Sequence, residues 1–246
     1  MDIQCQEIFN KYSVIEDYRE RVKYINDTIH PFFISVWDDR KNINFNTVNK
    51  EGIYNYLFDM VSKRITNKIN LNHMAITILE SLEQSEENTT LLNRVHPHDE
   101  QTVLIKYAYR INFTPMVIRL LIQKHNVDVN ISGKVHASSD KNINQNVFQA
   151  LLKHILEQQE ICDRTKYNIS YKIYNNFCDK LGTCFRYSDN LEYALTQHKD
   201  EKGKTFLDVL QASKEKLEST RQTRDLINNI KGNKVLKPYI KNWLSK

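Results

Sequence analysis

Two helix starts of different chemistry stand close together between Thr102 and Pro115, and they constrain the fold more than any other feature. The Thr102 hydroxyl is placed to accept a bond from an otherwise unpaired backbone N–H in a first turn. Thr114-Pro115 is the second start, because proline at the first helical position lacks only an N–H that would go unbonded there. Leu104, Tyr107 and Ala108 follow the first start at i, i+3, i+4, and Val117, Leu120 and Leu121 repeat that face after the second. This spacing predicts two short helices joined by a tight turn. Met116, Ile118 and Ile122 make the second helix apolar on its other side too. A helix apolar on more than one side needs neighbours on more than one side.

Composition points the same way. The chain of 246 residues holds only five Gly and four Pro, which sheets joined by tight turns consume and helix interiors exclude. An all-α fold is therefore expected, in a chain long enough to bury a substantial core. The net charge of +5 is modest, and Asn and Lys abound together, so nucleic acid is not the expected main partner. The N-terminal residues carry charges throughout, without the apolar core of a signal peptide, and no window is long and apolar enough for a membrane span. Cys5, Cys162, Cys178 and Cys184 lack CxxC spacing and read as thiols of a reducing compartment.

Apolar periodicity predicts a helix from Ile8 to Trp37, ended or redirected at Pro31, followed by a polar connection. Further helices are expected at about Ile53–Ile65 and Leu71–Leu82, with the polar stretch EQSEENTT as an exposed loop. Beyond Asn130 the segment ISGKVHASSDKNINQN reads as irregular. Helices follow at about Val147–Gln159, Tyr167–Leu181 and Leu191–Gln197, then after a Thr205 cap, then at about Lys214–Ile230 with Gly232 as terminator. The tail, with Leu236, Tyr239, Ile240, Trp243 and Leu244, reads as a final short helix.

The segment from Gln101 to Asn130 resembles an ankyrin repeat, a unit of about 33 residues with two antiparallel helices and a projecting loop. Thr102 and Leu104 stand where that family has Thr-Pro-Leu-His, with Val103 and Ile105 replacing Pro and His. Ala108 matches a small inner-helix position; Val117, Leu120 and Leu121 match Val-x-x-Leu-Leu; Asp128, Val129 and Asn130 match the closing Asp-Val-Asn. Ile111 and Asn112 replace the Gly between the helices. Gly203, Thr205, Leu207 and Asp208 form a second echo, with Thr205 standing 103 residues after Thr102, close to three periods of about 33. Gly52, in NKEGIYNYLFDM, marks a weaker third.

The resemblance implies a divergent ankyrin-like solenoid over residues 49–246, closed by a capping helix and preceded by an N-terminal helical segment over residues 1–48. It further implies a non-enzymatic protein–protein interaction module whose partner meets the projecting loops. Here those are His96, His98, Glu100 and Gln101 before one inner helix, and Lys199, Asp200, Glu201 and Lys202 before another. Tyr109 is the aromatic anchor on offer, while Tyr107 is expected in the core. In style the chain is also similar to the drifted ankyrin effectors that intracellular bacteria and large DNA viruses direct at host proteins. That similarity implies a cytoplasmic protein, or one delivered into a host cell without a cleavable signal.

Other chemistry has little footing. His96, His98 and Asp99 in HPHDE are the one metal-like cluster, but a His-Pro-His turn splays the rings and no fourth ligand is evident, so a solvated loop tip is expected. Phosphate-loop, dinucleotide, zincin and nucleophile-elbow motifs are missing, and no cofactor, metal or catalytic residue is assigned. An enzyme or enzyme modulator with a hidden site, for which Cys184 is the nucleophile on offer, stands as an alternative, as does a basic helical nucleic-acid binder. Lys231, Lys234, Lys237, Lys241 and Lys246 give the tail a basic character suited to weak contact with an anionic surface, or to the polar end of a solenoid.

Overall fold

The computed structural model describes residues 1–61, 70–135, 143–165, 168–215, 230 and 232–238. Over these the protein is all-α apart from one short hairpin. Its helices are α1 (Asp2–Ser13), α2 (Tyr18–Tyr24), α3 (His30–Ser35), α4 (Lys50–Asp59), α5 (Leu71–Ser81), α6 (Glu86–Asn93), α7 (Val103–Ala108), α8 (Pro115–Arg119), α9 (Val147–Thr165), α10 (Asn168–Tyr187) and α11 (Phe206–Ala212). β1 (Gly133–Val135) and β2 (Ile143–Gln145) pair antiparallel, with Lys134 opposite Asn144.

Most starts are set by side-chain caps. Asp17, Asn49, Asn70, Ser85 and Thr102 each accept a bond from a first-turn N–H, and Pro115 sits in the first turn of α8 as expected. The Asn146 carboxamide and the Gln149 side chain bond each other's backbone N–H at 3.0 Å, which opens α9 with a reciprocal cap. Thr205 and Asp208 do the same for α11.

Several sequence expectations need correction. Pro31 ends nothing: a π-type turn over Ile25–Ile29 carries α2 into α3, with the His30 N–H bonded to the Ile25 carbonyl five residues back. The wider turn accommodates the ring and the missing donor of Pro31. The break falls earlier, at 14–17. Of EQSEENTT only residues 83–85 form a connection; Ser85 caps α6, which begins at Glu86, and two glutamates occupy the positive end of that helix. Asn88 and Leu92 then bury its inner face. The stretch expected to be irregular contains the hairpin, and α9 and α10 extend beyond the predicted 159 and 181. Residues 62–65, most of the helix expected over 214–230, and Tyr239 to Lys246 lie outside the described residues.

One row of packed helices runs α1 on α4, α4 on α7, α7 on α9 and α9 on α11. A second runs α5 on α8 and α8 on α10. α7 also packs on α8, and α9 on α10, which ties the rows together. The core runs through both, from Cys5 and Phe9 to Leu210 and Leu236. In the first row α1 and α4 approach so closely that a Cβ on Gly52 would stand 2.5 Å from the Phe9 carbonyl oxygen. Between the rows, buried Lys180 of α10 donates to the carbonyls of Tyr107 at 3.2 Å, Ala108 at 3.1 Å and Arg110 at 2.6 Å. It thereby satisfies the open end of α7, although burial pulls its ammonium down to about 7. Lys124 does similar work on the Leu79 and Glu80 carbonyls at the end of α5.

Candidate functional site

The loops that precede α7, α9 and α11 are joined by hydrogen bonds into one polar edge. The first, 94–102, closes on itself: His96 N–H donates to the Gln101 carbonyl and Glu100 N–H to the His96 carbonyl, both at 2.8 Å. Glu100 takes a left-handed backbone, φ 51°, to make that turn. The Tyr54 hydroxyl donates to the Arg94 carbonyl at 3.0 Å, and Arg94 pairs with Glu51 at 2.6 Å, fastening the loop to the start of α4.

β1 bridges this loop to the next. The Lys134 N–H donates to the Glu100 carbonyl at 2.7 Å, and its ammonium meets the Glu100 carboxylate at 2.6 Å. Gly133 permits the approach, because a Cβ there would lie 3.0 Å from the backbone of both Glu100 and Gln101. Ser132 then meets the His198 ring at 2.8 Å, while Gln149 donates to the His198 and Lys204 carbonyls at 3.2 and 2.9 Å. The loop before α11 is closed by Asp200, whose carboxylate accepts from the N–H groups of Lys202 and Lys204 at 2.9 Å each. Gly203 completes it at φ 69°.

Beneath the first loop lies a buried charged network. The His96 ring stacks on Phe58 with centroids 3.9 Å apart and planes 11° off parallel. The Lys106 ammonium lies 3.6 Å from the centre of the same ring, and so must occupy its other face. Lys106 pairs with Asp99. Arg21 reaches in from α2 and donates to His96 Nε2 at 3.4 Å and to Asp59 Oδ2 at 2.7 Å; the same oxygen accepts from Tyr12 at 2.7 Å. A guanidinium only donates, so His96 Nε2 is an acceptor and the ring is neutral. Burial, then the Arg21 and Lys106 charges, hold His96 down at about 4. Burial pushes the Asp59 carboxyl up while Arg21 and Tyr12 oppose that push. Burial also pushes Asp99 up, but the Lys106 bond and charge outweigh it and hold the carboxyl below the ordinary range.

The residues expected to meet a partner divide accordingly. His98, Glu100, Lys199, Glu201 and Lys202 are exposed on the two outer loops. Asp200 is half-buried and shapes its turn. His96 and Gln101, expected to face a partner from the projecting loop, are only 3% and 1% exposed: His96 lies on Phe58, and Gln101 bonds the Lys134 carbonyl and the Tyr109 hydroxyl. Both therefore support the loop from below instead of presenting themselves to a partner. Tyr109 is half-buried, stacked on His154 at 5.3 Å. Tyr107 is in the core as expected, stacked on Phe113 at 4.2 Å.

Sequence reading missed Ser132, Lys134, Gln149 and His198 as bridges between loops. The Asn146–Gln149 cap was available as a signal, with the Asn-x-x-Gln spacing that precedes an apolar run. Cys184 is fully buried, and burial pushes its thiol up to about 12, far from an activated nucleophile. No group of three metal-ligating side chains occurs among the described residues, and none of their helices is long and apolar enough to cross a membrane. No protein-family model, curated protein or solved structure matches the chain.

Proposed function

We propose that the protein is a non-enzymatic protein-binding module, built as a divergent ankyrin-like solenoid. On this reading α4, α7, α9 and α11 are inner helices, α5, α8 and α10 outer helices, and the linked loops form the partner-binding edge. The observation that carries the reading is the bonding of successive loops through β1, Glu100 to Lys134 and Ser132 to His198. It fixes the backbone of the edge while His98, Glu100, Lys199, Glu201 and Lys202 stay exposed. A surface fixed in advance loses little freedom on binding, which favours recognition of another folded surface.

The test pairs two variants. One replaces His98, Glu100, Lys199, Glu201 and Lys202 by alanine. The other replaces Glu7 and Lys11, both exposed on α1, by alanine. Affinity capture followed by a direct binding measurement on the captured protein is expected to show loss in the first and retention in the second. Retention in the first variant would remove the edge from the interface.

A further inference from the structure

A separate cleft of about 230 Å³ opens where the turn after α8 meets the end of α10. Its floor is aliphatic, with Ile122, Val127 and Val129, and Tyr187 forms one wall. The rim is polar: Asp128, Asn130, Ser188 and Asp189 among others. Asn126, in a left-handed backbone at φ 51°, swings the chain out of the turn, and the Asp128 N–H is fixed by the Asn93 carboxamide at 2.7 Å.

The rim is organised to accept hydrogen bonds. Asp128 Oδ1 receives the Asn130 backbone N–H at 2.8 Å and its side-chain amide at 3.0 Å. A carboxylate only accepts, so the Asn130 side chain must point its NH2 at Asp128 and its oxygen away. That oxygen, Asn130 Oδ1, and the Ser188 hydroxyl oxygen are both buried and have no hydrogen-bond partner among the described residues. Asp128 and Asp189 add two carboxylates, and none of the described lining residues is Lys, Arg or His. Arg119, beside Tyr187, is occupied over that ring at 5.2 Å and with Gln123 at 2.8 Å.

We propose that this cleft receives one cationic side chain, arginine or lysine, from the protein partner. An aliphatic stem would lie along Val129 and Tyr187, and the charged head would donate to the exposed carboxylates of Asp128 and Asp189. An arginine fork supplies enough donors to serve several of those acceptors together, which a single ammonium does less completely. The inference rests on the protein-binding reading above, and its test is independent of any partner.

The full-length protein, labelled with 15N, is titrated at fixed ionic strength with Nα-acetyl-arginine methylamide, its lysine counterpart and its glutamate counterpart. The arginine and lysine probes are expected to shift the backbone amides of 126–130 and 187–190 saturably, with Kd on the order of millimolar. The glutamate probe is expected to leave them in place. Asp189→Asn, whose side chain stands exposed on the rim, should weaken arginine binding roughly tenfold with the spectrum otherwise unchanged. Asp128→Asn/Asp189→Asn should abolish it. Absence of saturable shifts with either cation, equal shifts from glutamate, or an Asp189→Asn affinity equal to the wild type would each overturn the assignment. If the cleft fails while the loop-edge variant still loses its captured partner, the protein-binding reading stands without it.

Discussion

Arg21 of α2 and Asp59, the last residue of α4, meet at 2.7 Å, with the carboxylate side chain wholly buried and the guanidinium nearly so. The pair joins the first helical segment to the row of helices beneath the loop edge. Two ions removed from water are costly, so the attraction between them, and the Tyr12 bond to the same oxygen, mainly offsets a desolvation penalty.

Arg21→Met is therefore expected to destabilise the protein by about 3–5 kcal/mol, because it strands a buried carboxylate. Arg21→Met/Asp59→Leu should recover most of that loss. Urea unfolding of both variants checks the ordering. A double variant as unstable as the single one would show that the pair contributes something other than mutual neutralisation.

His96 governs the acid limb of stability. Its folded value of about 4 lies below the ordinary 6.5, so between those values the unfolded chain binds the proton more readily. The stabilisation from keeping His96 neutral is fully present above 6.5 and is lost as pH falls toward 4. The loss amounts to on the order of 3 kcal/mol at most. His96→Asn should flatten this part of the profile. Melting curves of wild type and variant at about pH 7 and about pH 4.5 read the difference directly.

Gly52→Ala inverts the usual rule for helices. In an exposed helix the change stabilises by about 1 kcal/mol. Here the new methyl would meet backbone at 2.5 Å, and a carbonyl cannot move aside as a side chain can. A loss of about 1–3 kcal/mol is expected from forcing α1 off α4. Chemical denaturation gives the sign.

Lys180→Met tests the tie between α10 and α7. Two of the three carbonyls that Lys180 serves, those of Tyr107 and Ala108, are buried with it, and a thioether cannot donate to any of the three. A loss of about 2–4 kcal/mol is expected despite the gain in apolar volume. Amide hydrogen exchange should then quicken in α7 ahead of α1, since the latter packs elsewhere.

Local chemistry was legible in the sequence, and distant chemistry was not. Thr102, Pro115 and the Thr205–Asp208 pair announce their helices, because a cap acts within one turn. α6 escaped notice because EENTTLLN is polar on most sides and is held by its Ser85 cap and the burial of Asn88 and Leu92. Pro31 misled because proline breaks an α-helix but not one that widens ahead of it, and the widening leaves no mark in periodicity. The charged network joins residues 38 and 75 apart, Arg21 with Asp59 and Arg21 with His96, and no spacing rule reaches that far. For the same reason His96, in a stretch that reads as a polar turn, gave no sign of lying on Phe58. The exposed members of the two loops were recognisable from their place before a cap, whereas the hairpin that links those loops was not.

The central claim is that a partner binds the edge formed by the loops before α7 and α11. Its most direct test is the affinity of a captured partner for the wild type, the His98/Glu100/Lys199/Glu201/Lys202 alanine variant and the Glu7/Lys11 alanine variant, measured at one ionic strength. The account predicts a loss of at least about tenfold for the edge variant and a change within about twofold for the other. An undiminished edge variant together with a weakened Glu7/Lys11 variant would contradict it, and would move the interface to α1.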